Sequence, residues 1–92
     1  LSNSGLEYLV KTNTTFNDLA NAYNGNLYLA TDRGLYMQKA ADGVWKMPDS
    51  KDVNFGPANM KSLLLTESNP TRLWINALDK NDNPVVYSMA VK

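Results

Sequence analysis

At 92 residues and 10.2 kDa the chain has room for one small domain, or for a piece of a larger one. It is 43% hydrophobic and 20% charged, a globular balance, and nine Lys plus Arg offset nine Asp plus Glu, which removes the basic footprint of a nucleic-acid or acidic-membrane binder. With no Cys and no His, disulfide frameworks, thiolate nucleophiles, Ser-His-Asp triads and the usual zinc sites are excluded, and no apolar run approaches the roughly 20 residues of a membrane-spanning helix.

The start, Leu1-Ser2-Asn3-Ser4-Gly5, reads as a flexible segment, and its lack of an initiator Met suits a processed product or an excised piece. Leu6 to Lys11 alternates like a strand. Leu19 to Tyr23 precedes Asn24-Gly25, a strong hairpin signal, and Leu27 to Thr31 follows it. Asp32-Arg33-Gly34 reverses the chain into Leu35 to Lys39, and Asp42-Gly43 reverses it again into Val44 to Met47. Pro48 to Pro57 is a polar connector. Ser62 to Thr66, Arg72 to Leu78 and Val85 to Val91 complete about eight short strands, separated by turns at Ser68-Asn69-Pro70 and Asp79 to Pro84.

A helical period competes in two places. Phe16, Leu19, Ala20 and Tyr23 fall at i, i+3, i+4 and i+7, with Thr15 before and Gly25 after; Met60, Leu63 and Leu64 follow Pro57 in the same manner. An α+β fold with helices near 16–24 and 57–66 is therefore an alternative, as is a small β-sandwich or barrel. An internal repeat favours strands. Leu27-Tyr28-Leu29 and Leu73-Trp74-Ile75 lie 46 residues apart, as do Leu19 and Leu65, and each copy runs on to a strand bearing a tyrosine, Tyr36 or Tyr87. A four-stranded propeller blade has about this period, and the chain holds two.

Gly25 to Tyr36, reading G-N-L-Y-L-A-T-D-R-G-L-Y, resembles the blade signature of two-component-regulator-type propellers, G-x-L-W-x-G-T-x-x-G-L, with Ala30 where that pattern has Gly. Lys39 to Trp45 resembles the Asp-box turn of sialidase-type and sortilin-type propellers, shortened and without its Ser. Ser68 to Trp74 resembles the N-P-x-x-L-W approach to the same strand in a following blade. The resemblance implies an all-β chain of two antiparallel four-stranded blades, over about 12–57 and 58–92; the second copy counts only three strands, and 6–11 is available to complete it, within the chain or in a neighbour. It also favours an extracellular or periplasmic location, although a chain without Cys suits the cytoplasm equally.

Two blades share one interface and leave two faces bare. At about 25 cal/mol per Å2, several hundred Å2 of bare apolar face is worth on the order of 10 kcal/mol, so such a unit belongs in a longer chain or associates head to tail. The expected partners are other blades, of the same or a parent chain, and a protein or glycan ligand. Tyr28, Tyr36, Trp45 and Trp74 supply aromatic area for recognition, and Arg33 stands at a turn tip as a rim contact. Asp79, Asn81 and Asn83 have the first spacings of a calcium loop, but Pro84 and Ala90 stand where an EF-hand needs Gly and Glu. Nothing holds two carboxylates at a catalytic separation. No enzyme activity, metal or cofactor is expected. The competing function is that of a self-contained accessory domain of a secreted or cell-surface protein.

Overall fold

A computed structural model of the chain describes residues 11, 13–41, 43–49, 53, 55–66 and 71–91. The strands are β1 (Phe16–Asn21), β2 (Leu27–Thr31), β3 (Gly34–Gln38), β4 (Trp45–Lys46), β5 (Asn59–Thr66), β6 (Arg72–Leu78) and β7 (Pro84–Ala90). They form two antiparallel meanders, a four-stranded sheet in the order β1-β2-β3-β4 and a three-stranded sheet in the order β5-β6-β7. The fold is all-β, and the two helical alternatives fall on β1 and β5. Pairing partners decide this: β1 and β5 each lie beside a strand with matching backbone groups, which a helix would forgo. The second sheet has three strands, not four, among the described residues. Residues 6–10 of the expected completing strand lie outside the described residues, and Lys11 is exposed and outside any strand.

Turn chemistry sets the first meander. Asn24 Oδ1 accepts the Asn26 N–H at 3.1 Å, and Gly25 takes φ 88° between β1 and β2. Between β2 and β3, the Thr31 hydroxyl donates to the Gly34 carbonyl at 2.8 Å and accepts the Arg33 N–H at 3.1 Å. Gly34 has φ 144°, and a Cβ there would approach the Met47 side chain at 3.0 Å.

Alternation then gives each sheet an inner face. On the first sheet Ala20, Tyr28 and Met37 form one cross-strand row, ending at Lys46, and Ala30 and Leu35 form the next. On the second the rows are Leu65-Leu73-Met89, Leu63-Ile75-Tyr87 and Met60-Ala77-Val85. These faces meet in one core, where Ala30, Met60, Leu73 and Ile75 are wholly enclosed. Phe55 of the connector stacks on Tyr87, ring centroids 4.9 Å apart.

The two sheets are joined along one margin. β5 lies against β1, β2 and β3. At the β1 bulge between Phe16 and Asp18, Asn17 Nδ2 donates to the Met60 carbonyl at 2.7 Å, and Asp18 Oδ2 accepts the Leu63 N–H at 2.8 Å. The bulge therefore turns two polar side chains onto the otherwise unpaired margin of β5. Among the described residues β4 and β7 are the last strands of their sheets at the opposite margin, and they do not pair with each other.

Candidate functional site

The outward faces differ in what covers them. On the second sheet β6 alternates strictly, so Leu73, Ile75 and Ala77 point inward while Arg72, Trp74 and Asn76 point outward. Leu64 lies directly opposite Trp74, and Val86 opposite Asn76. Leu64 is 60% exposed, Trp74 39% and Val86 63%, an apolar strip across all three strands.

Polar side chains hold this strip flat. The Trp74 indole N–H donates to Thr66 Oγ1 at 3.0 Å, and the Arg72 guanidinium lies 5.8 Å from the ring centroid. Arg72 also donates to Ser88 Oγ at 2.8 Å, and the Asn76 amide donates to Ser62 Oγ at 2.9 Å. Between these polar groups the apolar surfaces of Leu64, Trp74 and Val86 remain exposed.

Of the other residues singled out from the sequence, Tyr28 is 1% exposed between the sheets, while Trp45, opposite Gln38 on the other side of the first sheet, is 5% exposed there, so neither ring offers an open surface. Tyr36 is partly buried beside Leu29 on the outward face of the first sheet, where Leu19 and Phe16 are exposed. Arg33 is exposed at its turn, bordering an open groove of about 450 Å3 with Asp32, Asn59, Asp79 and Lys80. Two carboxylates there hold backbone: Asp32 Oδ1 accepts the Thr15 N–H from the approach to β1, and Asp79 Oδ1 accepts the Asn81 and Asn83 N–H groups of its own turn. Among the described residues no three acidic side chains gather as a metal site would require. Arg33 and Trp74 stand on separate surfaces, the first at a turn tip and the second on the open sheet face. Leu64 and Val86 were not singled out, although their places opposite and diagonal to Trp74 follow from strand register once it is known.

No family model, curated protein or solved structure matches the chain.

The 46-residue offset acquires a geometric meaning. It carries Leu27, Tyr28 and Leu29 onto Leu73, Trp74 and Ile75. Tyr28 points between the sheets, while its counterpart Trp74 points away from them; Leu29 lies on the opposite side from Tyr28, where it is still 7% exposed, while Ile75 points between. Leu19 and Leu65 behave like Leu29 and Ile75. The covered side of the first sheet thus corresponds to the uncovered side of the second. The sheets are stacked in the same sense, not facing one another as mirror partners.

Burial pushes the Tyr28 phenol above its usual range, against the opposing effect of a hydrogen bond with the Asn26 side chain. A raised phenol pKa means that the folded state keeps a proton the unfolded chain releases. Its stabilisation is complete below the unfolded value near 10 and is lost as pH rises through the folded value. Urea unfolding between about pH 8 and pH 11 should show a steeper alkaline loss in the wild type than in Tyr28→Phe.

Proposed function

We propose that this chain is a non-catalytic, propeller-type recognition and assembly unit whose two outward sheet faces dock head to tail on copies of each other or on equivalent blades. The observation that carries the reading is the inverted exposure of Tyr28 and Trp74 at equivalent repeat positions. A stack that covers Tyr28 and leaves Trp74 bare is a stack interrupted after two layers. The next layer that fits the Leu64-Trp74-Val86 strip is a face like the outward side of the first sheet, with Phe16, Leu19 and Tyr36. Both faces are apolar, and fully burying one such side chain contributes about 1.5–3 kcal/mol. Head-to-tail contacts of this kind close into rings when the rotation allows.

A mixing experiment tests the reading. Wild-type protein is expected to self-associate in sedimentation equilibrium. Trp74→Asp and Leu19→Asp each disable one face, and each should weaken association at least tenfold. Mixed together, the two variants should form one-to-one dimers through the faces left intact and nothing larger. A wild type that stays monomeric at about 1 mM overturns the proposal, and so does a Leu19→Asp variant that pairs with itself through Trp74 as well as the wild type does.

A further inference from the structure

The margin opposite the β1/β5 junction carries a second surface, independent of the sheet faces. Asp79 N–H donates to the Asn83 carbonyl and Val91 N–H to the Thr71 carbonyl, both at 3.0 Å, and these bonds bracket the β6/β7 ladder. In an antiparallel ladder the bonded pairs alternate, so Val85, Tyr87 and Met89 exchange bonds with β6, while the N–H and C=O groups of Val86, Ser88 and Ala90 point away from the sheet. No strand pairs with that side of β7 among the described residues. Pro84, which has no N–H, stands at one end of the row.

At the other end the row runs into a cavity. It has a volume of about 80 Å3 and opens between the end of β7, at Met89 and Ala90, and the β3–β4 side of the first sheet, with Met37, Lys39, Lys46 and Met47 among its walls. An engineered cavity of about 150 Å3 holds a benzene ring. The space here fits one aliphatic side chain and is too small for a sugar ring or a nucleotide. Thioether walls adapt to the shape of such a side chain. Among the described lining residues Lys39 is an exposed cation beside the opening, within reach of a carboxylate next to the inserted group.

We infer that the β7 margin and this cavity form a peptide-binding site, taking an extended segment of a partner protein as an added strand, with one leucine-sized side chain in the cavity and an acidic residue beside it. Main-chain bonds to Val86, Ser88 and Ala90 supply the affinity, and the cavity sets the register. The site lies at the margin, so it remains open when the sheet faces are covered.

The test uses the full chain and a short fluorescein-labelled peptide that alternates threonine and leucine, with an aspartate beside the central leucine. Saturable binding by fluorescence anisotropy is expected. N-methylation of alternate peptide amides, or glycine in place of the central leucine, should each weaken it at least tenfold. Ser88→Pro removes an outward N–H without touching the ladder to β6 and should cause a similar loss. Ser88→Ala keeps that N–H and should bind as the wild type does, which separates edge pairing from any effect of losing the hydroxyl. Lys39→Glu should reverse the preference for aspartate over lysine in the peptide. Equal binding by Ser88→Pro, indifference to N-methylation, or binding that emerges only after residues 1–11 are deleted would each overturn the inference, the last because the chain's own start would then be the occupant.

Discussion

Ile75→Ala lowers the unfolding free energy by about 2–5 kcal/mol, the range for removing three buried carbons from a close-packed core that cannot collapse around the gap. Ile75 is 0% exposed on the central strand of its sheet, flanked by Leu63 and Tyr87, and the Tyr87 ring is itself held by Phe55. The vacancy would open where β6 faces the first sheet. For a domain with 5–15 kcal/mol of total stability this is a large fraction, visible as a fall in the urea midpoint at unchanged slope. Its neighbour Trp74 gives the contrast. Trp74→Ala, measured at a concentration where the chain is monomeric, removes an outward ring and should change stability by less than about 1 kcal/mol, despite the greater volume lost. If the two substitutions destabilise equally, the buried and bare sides of β6 have been assigned wrongly.

Asp18→Ala is expected to cost about 2 kcal/mol, because it removes a charged acceptor and leaves the Leu63 N–H at the sheet junction without its partner. The effect should exceed that of Asp18→Asn, whose side-chain oxygen can still accept from Leu63. The Leu63 amide reports the change directly: its hydrogen exchange should accelerate in Asp18→Ala far more than that of Ile75, which lies inside the ladder. Exchange at Leu63 equal to that of the wild type would show that the junction is held by packing alone. Asn17, which donates to the Met60 carbonyl, is the second point of the same junction. A double-mutant cycle with Asn17→Ala would measure how far the two bonds act together.

The strands over 27–31 and 35–39 were legible because Gly25 and Gly34 punctuate them, and 72–78 because Ser68-Asn69-Pro70 and Asp79 to Pro84 bound it and alternation fills it. β1 and β5 were less so. Phe16, Leu19, Ala20 and Tyr23 satisfy a helical period as well as a strand pairing, and the choice rests on β2, a neighbour that local periodicity cannot see. The strand start at Asn59 was also hidden, since the bulge between Met60 and Ser62 interrupts alternation where the strand begins. Of the five residues singled out for recognition, Trp74 and Arg33 are exposed, Tyr36 is partly buried, and Tyr28 and Trp45 are buried. An aromatic residue in a strand carries no local mark of whether a second layer lies above it.

By itself the order of amino acids determined the chemistry ruled out, the places where the chain reverses, and the 46-residue spacing that pairs Tyr28 with Trp74. Only the tertiary structure decided which of those two rings is covered, that Asn17 and Asp18 bind the margin of β5, and that no strand among the described residues pairs with the outer side of β7. The reason is that a strand with apolar residues on both sides has no preferred inside. The stacking of sheets distant in sequence creates the inside, and it encloses one side of each sheet that the local sequence does not single out.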